Sequence, residues 1–193
     1  VSFIFPDWKF RRLPRTIKRS LQAQCSYLSE VVEQYKNGRN NGLNYRVVRR
    51  AAHNTDADVA SLISTLATEP DFDPAQKAQA FEFLCLNHTF ISYIAALGAH
   101  RGKIQDQEVL TLLDKALDDI QGALLRDEVP DLTAQNMLQT IRQRLSQNND
   151  EDQKALIILQ QLSLMFSILN QLSRLKQNLS HDHDQHATEL ASL

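Results

Sequence analysis

The sequence predicts an all-α protein, an up-and-down helical bundle of about six helices. Three observations lead there. Glycine and proline are scarce, five of each in 193 residues, a composition that favours helix over a sheet with many tight turns. Apolar residues recur at alternating steps of three and four along most of the chain, the period of one helix face. The segments between are short and polar, roughly 4–8 residues, as expected between antiparallel helices. No strand alternation, internal repeat or low-complexity linker breaks the pattern.

The first helix is expected from about Pro14, whose fixed φ suits a first turn, to Lys36, where Asn37-Gly38 signals a stop. Ile17, Leu21, Leu28, Val31 and Tyr35 form its stripe, interrupted by Gln24. The second runs from about Asn44 to Thr68 on Val48, Ala52, Thr55, Val59, Leu62 and Leu66. The third opens on Asp73-Pro74, a cap followed by a first-turn proline. It carries two stripes, Phe81-Leu84-His88-Ile91-Ala95 and Phe83-Phe90-Ile94-Leu97, as a helix packed between neighbours would.

The fourth, from about Asp106 to Arg126, shows a heptad-like seam of Leu110, Leu113, Leu117, Ile120 and Leu124. A short fifth helix carries Leu138, Ile141 and Leu145. The sixth, from about Asp152 to Leu179, is the most apolar. Its stripes are Ile158-Leu162-Met165-Leu169-Leu172 and Leu164-Ile168-Leu175-Leu179, which marks it as a central helix.

The charge is unevenly placed. Residues 1–50 hold eleven Lys/Arg against three Asp/Glu, a balance of +8, and residues 51–193 hold ten against twenty, a balance of −10. The chain opens on an apolar run (Val1, Phe3, Ile4, Phe5) followed by Trp8, Lys9, Phe10, Arg11, Arg12, Arg15, Lys18 and Arg19. Apolar residues, then aromatics, then cations is the order found where a transmembrane helix leaves a bilayer on its cytoplasmic side. The N-terminus therefore reads as the end of a transmembrane helix, and these eight residues as a membrane interface. Residues 1–12 are the helix end and juxtamembrane basic segment, 13–179 the cytoplasmic bundle, and 180–193 a flexible tail. Lys and Arg beside an anionic leaflet contribute about 1 kcal/mol each. No other segment is read as apolar for the ~20 residues a span needs, and Val1–Phe5 has no signal-peptide pattern.

Little else in the sequence speaks of chemistry. Cys25 and Cys85 have no metal-like spacing and suit a reducing compartment. His88 lies on an apolar stripe one turn after Cys85 and reads as a core histidine. His181, His183 and His186 fall in the expected tail, and no metal site or cofactor is expected. Asp114, Asp118 and Asp119 read as a solvated face of the fourth helix. No nucleophile elbow, P-loop, zincin helix or dinucleotide turn is present, so no catalysis is expected. The acidic remainder and the lack of a reader motif argue against nucleic acid. On the second helix, Arg46, Arg49, Arg50, His53 and Asp56 fall on neighbouring faces. Arg49–His53 and His53–Asp56 sit at pairing distance, suggesting a polar network between helices.

The segments FPDWKFRRLPRTIKRSLQAQCSYLSEVVEQY and LNYRVVRRAAHNTDADVASLISTLATEP resemble the YccS/YhfK family of bacterial inner-membrane proteins. That family lies within the wider fusaric-acid-resistance (FUSC) group, which also contains aromatic-acid exporters. The likeness is most specific over Arg46–Asp58 and covers residues 1–70 well, the rest only by helical character. It implies two membrane-embedded blocks, each followed by a helical cytoplasmic region, with this chain as the last such region on the cytoplasmic side of the bacterial inner membrane. A role in transport or efflux for the whole protein follows from the resemblance. For this region it implies a structural, oligomerisation or regulatory role, with the membrane, the other cytoplasmic region and a homo-oligomer as partners. Arg49, Arg50, His53, Asn54 and Asp56 match the motif without an assigned role. The competing reading is a stand-alone soluble helical module that binds a protein, or a ligand in a pocket lined by Phe81, Phe90 and Arg49.

Overall fold

The computed structural model describes residues 7–147 and 153–190, with side chains described for 11–147 and 153–180. Six helices follow one another: α1 (Asp7–Asn37), α2 (Leu43–Leu66), α3 (Pro74–Ala99), α4 (Gln107–Leu125), α5 (Thr133–Gln147) and α6 (Gln153–Leu190). The all-α expectation holds. Cross-helix contacts fix the directions. Asn44 at the start of α2 reaches Glu30 toward the end of α1. Gln24 and Tyr35 of α1 reach Asn87 and Leu97 of α3 in the same order. Arg144 at the end of α5 reaches Asp106 at the start of α4. Gln171 and Ser173 of α6 reach Glu82 near the start of α3 and Ala123 near the end of α4. Neighbours in sequence thus run up and down.

α1 and α6 form the centre. α1 packs on α2, α3, α4 and α6, and α6 packs on α1, α3, α4 and α5. The expected α1 stripe is buried, and Leu13, Tyr27 and Val32 join it. Phe83, Phe90, Ile94 and Leu97 of α3 meet Ile158, Leu162, Met165, Leu169 and Leu172 of α6 in one continuous core. Full burial of such side chains contributes about 1.5–3 kcal/mol each. Two helix starts match the sequence: Asp73 accepts the N–H groups of Ala75 and Gln76, and Asp106 those of Glu108 and Val109.

The structure departs from expectation at both long helices. α1 begins at Asp7, so Pro14 lies inside it rather than in its first turn. Proline's φ fits a helix, the loss is one backbone hydrogen bond, and the buried Leu13 and Ile17 hold the helix on either side. α6 runs to Leu190, eleven residues past Leu179, where the expected tail would begin. No glycine or proline follows Leu179 to stop it. Val1–Pro6, the expected helix end, lie outside the described residues.

Four further expectations are corrected. On α4 the buried face is Val109, Leu112, Leu113, Ala116, Ile120, Ala123 and Leu124, while Leu110 and Leu117 are only half-buried. The face is rotated from the leucine seam toward α1, α5 and α6, the three helices that pack on α4. The same rotation buries Asp119 to 7% exposure. His88 is not in the core: its side chain is 69% exposed. Finally, α3 (Pro74–Ala99) and residues Gln153–Ser180 of α6 are long and apolar enough to cross a membrane, by length and composition. Neither is an unbroken apolar run, because Asn, Gln and Ser are interleaved with the apolar residues. In the bundle these two helices pack on each other.

Candidate functional site

The motif on α2 is split by the fold. Arg49, Arg50, His53 and Asn54 stand exposed, whereas Asp56 turns inward. Asp56 does not pair with His53. Its Oδ1 accepts from Asn87 Nδ2 at 2.7 Å and its Oδ2 lies 2.8 Å from His88 Nδ1, both on α3. The His53 ring rests instead near Tyr27, 6.5 Å between centroids. A step of three residues allows a pair on one helix, but the buried carboxylate finds better donors across the interface.

Asp56 is one end of a polar chain through the core. Asn87 Nδ2 also donates to Ser20 Oγ at 3.1 Å, and Gln24 Nε2 donates to Asn87 Oδ1 at 2.6 Å. Ser20, Gln24 and Asn87 are fully buried. The network ties α1, α2 and α3 at one level, and buried polar groups left unpaired there would be costly. The gap at Gln24 in the α1 stripe was the sequence signal for it. Ser20 and Asn87 gave none.

A second cluster, missed in the sequence, surrounds Arg101 in the α3–α4 connection. Arg101 is 5% exposed. Its Nε donates to Gln34 Oε1 at 2.7 Å, Nη1 to the Gly98 carbonyl at 2.7 Å, and Nη2 to Asn41. The guanidinium lies 3.6 Å from the centroid of the Tyr45 ring, a cation–π contact. Tyr45 in turn meets Tyr27, hydroxyl to hydroxyl at 3.3 Å. Burial, then the bond to Tyr45, pushes the Tyr27 phenol up, and burial does the same to Tyr35. Tyr35 donates to the Leu97 carbonyl at 2.7 Å. Arg101 thus pins the α1–α2 loop and the end of α3 with neutral partners. Cys25, buried in the core, has its thiol pushed up by burial to about 12.

The basic segment divides between two grooves beside α1. Arg12, Thr16 and Arg19 face Thr55, Asp58, Ser61 and Thr65 of α2 across about 280 Å³. Arg15 and Lys18 border about 300 Å³ with Leu124, Leu125, Asp127 and Lys176. Arg11 is exposed on the same turns. Trp8, Lys9 and Phe10 fall in α1, with side chains outside those described. Phe90 is fully buried while Phe81 and Arg49 are exposed, so these three do not line one pocket. Among the described residues, no group of three or more His, Cys, Asp or Glu is arranged to hold a metal ion. The His181, His183 and His186 side chains lie outside them.

The chain is 41% identical over 181 residues to the inner membrane protein YccS of Escherichia coli (strain K12), covering 93% of this chain. The chain resembles the YccS family. The match spans 25% of the length of that E. coli protein. An uncharacterized protein of Haemophilus influenzae is 34% identical over 106 residues, 55% of this chain and 15% of that protein. An uncharacterized protein, ORF2, of Neisseria gonorrhoeae is 35% identical over 71 residues, 36% of this chain and 17% of that protein. No family model and no solved structure matches. The likeness to YccS extends past residue 70, where helical character alone had supported it, and takes in most of the bundle.

Proposed function

We propose that this chain is a cytoplasmic helical region of an inner-membrane transport or efflux protein, with a structural, oligomerising or regulatory role and no catalysis of its own. The observation that carries the reading is the similarity to an inner membrane protein across 93% of the chain but only 25% of that protein's length. The geometry of α1 supports it. Its first turns carry Arg11, Arg12, Arg15, Lys18 and Arg19, suited to anionic headgroups, and the same helix continues without a break into the core. A helix of 31 residues is about 46 Å long at 1.5 Å per residue. Displacement at its membrane end would reach α2, α3, α4 and α6 directly. Reporter fusions after Leu193 of the full-length protein test the placement. A fluorescent green-protein fusion and an inactive alkaline phosphatase fusion are expected, and the reverse would overturn it.

A further inference from the structure

The first three turns of α2 present an unpartnered face. Leu43 is 70% exposed and Val47 52% exposed. With Ala51 they form an apolar ridge at steps of four. Arg46, Arg50 and Asn54 form a second ridge beside it, and the six line a shallow depression. Arg46 and Arg50 make no ion pair with any described residue. No acidic residue occurs between Gly38 and Thr55, while Arg39 and Arg49 add to the positive field. Nothing in the bundle's own packing requires this face, because α2 buries the opposite one through Tyr45, Ala52, Asp56 and Val59.

We infer that this face of α2 docks an acidic amphipathic helix of the full-length polypeptide, one lying outside these 193 residues. The partner carries apolar side chains at i and i+4 for the Leu43–Val47 ridge, and carboxylates at the same spacing for Arg46 and Arg50. The inference rests on the reading that the chain is part of a longer inner-membrane protein, as the 25% coverage of YccS suggests. Charge excludes the symmetric alternative. Two copies pairing through this face would set Arg46 and Arg50 against their own counterparts, a repulsive arrangement. Position argues against the bilayer. Asn44 bonds to Glu30, so the patch starts beside residue 30 of α1, about 27 Å along the helix from Arg12. Both levels cannot lie at the same headgroup layer when α1 stands along the membrane normal.

The test is photo-crosslinking in the full-length protein in native membranes. A photoreactive residue replaces Val47, with a control at exposed Gln143 on α5. The expected product joins Val47 to an acidic helix of the same polypeptide outside the region, with none from the control. Arg46→Glu with Arg50→Glu should reduce its yield about tenfold or more, as loss of close charge pairs does. The milder Arg46→Gln with Arg50→Gln should fall between. Neither pair has intramolecular partners to lose, so thermal unfolding of the variants should match the parent. Adducts to lipid, to a second copy of residues 1–193 or to a separate protein overturn the inference. So do absence of product and a yield indifferent to charge reversal. Membrane fractionation of the same samples separates the two ideas. Protein in the soluble fraction defeats the membrane reading, whereas membrane-located protein without the product defeats only the docking.

Discussion

Replacing Asn87 by alanine is the perturbation that tests the architecture most severely. The side chain joins three helices through three hydrogen bonds: to Ser20 at 3.1 Å, to Asp56 at 2.7 Å and from Gln24 at 2.6 Å. Two are neutral, worth about 0.5–1.5 kcal/mol each, and the one to a carboxylate about 1.5–3 kcal/mol. The loss is about 3–5 kcal/mol, because the site is buried and water cannot substitute freely. For a domain of this size that lowers the midpoint by about 6–20 °C. Circular dichroism at 222 nm, followed through heat and urea unfolding, gives both numbers. Ser20→Ala removes two neutral bonds, from Asn87 at 3.1 Å and from Gln24 at 3.3 Å, and should cost about 1–3 kcal/mol. Combining Asn87→Ala with Asp56→Ala should cost less than the sum of the two, since each leaves the other's partner stranded. A loss below about 1 kcal/mol for Asn87→Ala, or strict additivity in the pair, would refute the account of a network that binds α1, α2 and α3.

Three further outcomes follow from buried groups. Asp119 has its carboxyl pushed up by burial, which outweighs the nearby Lys115, and its Oδ2 has no partner among the described residues. A raised folded pKa means its contribution is fully present below the unfolded value of 3.8 and is lost as pH rises through the folded value. Asp119→Asn should therefore gain on the parent between pH 3 and pH 7 in urea unfolding, and a constant difference would contradict this. Cys25 is buried while Cys85 is exposed, so an aromatic disulfide reagent should titrate one thiol quickly in the folded region and two after unfolding. Gly98 sits where an added Cβ would come within 3.1 Å of both Tyr45 Oη and Val31 Cγ2. Gly98→Val should cost about 1–3 kcal/mol through overpacking, read from the urea midpoint.

How far the sequence could be read depends on which forces write locally. Helix number, order and most boundaries were legible because capping and apolar spacing are local: Asp73 caps as Pro74 beside it foretold, and α4 starts beside Asp106 as expected. The faces were less legible. On α4 the leucines suggested one seam, but the face that packs on α1, α5 and α6 takes in Val109, Ala116 and Ala123 and carries Asp119 inside. Only knowledge of the neighbouring helices could show that. His88 looked like a core residue because its stripe is apolar, yet that stripe ends at the exposed Phe81 and the core lies on the other. The α2 motif was seen, but its division into an inward Asp56 and outward arginines depends on α3 supplying Asn87. Arg101 lay in a loop with no periodicity to mark it, and apart from the nearby Gly98 carbonyl its neutral partners, Gln34, Asn41 and Tyr45, come from α1, the α1–α2 loop and α2, far away in sequence.

The central claim is that this bundle sits on the cytoplasmic face of the inner membrane, and Cys85 reports on it directly. The full-length protein is prepared with Cys25 and Cys85 as its only cysteines, and spheroplasts and inverted membrane vesicles are treated with a membrane-impermeant maleimide. Cys85, exposed on α3, should label in inverted vesicles and not in spheroplasts, with Cys25 silent in both until the protein is unfolded. Labelling of Cys85 from the outside of intact spheroplasts would contradict the account.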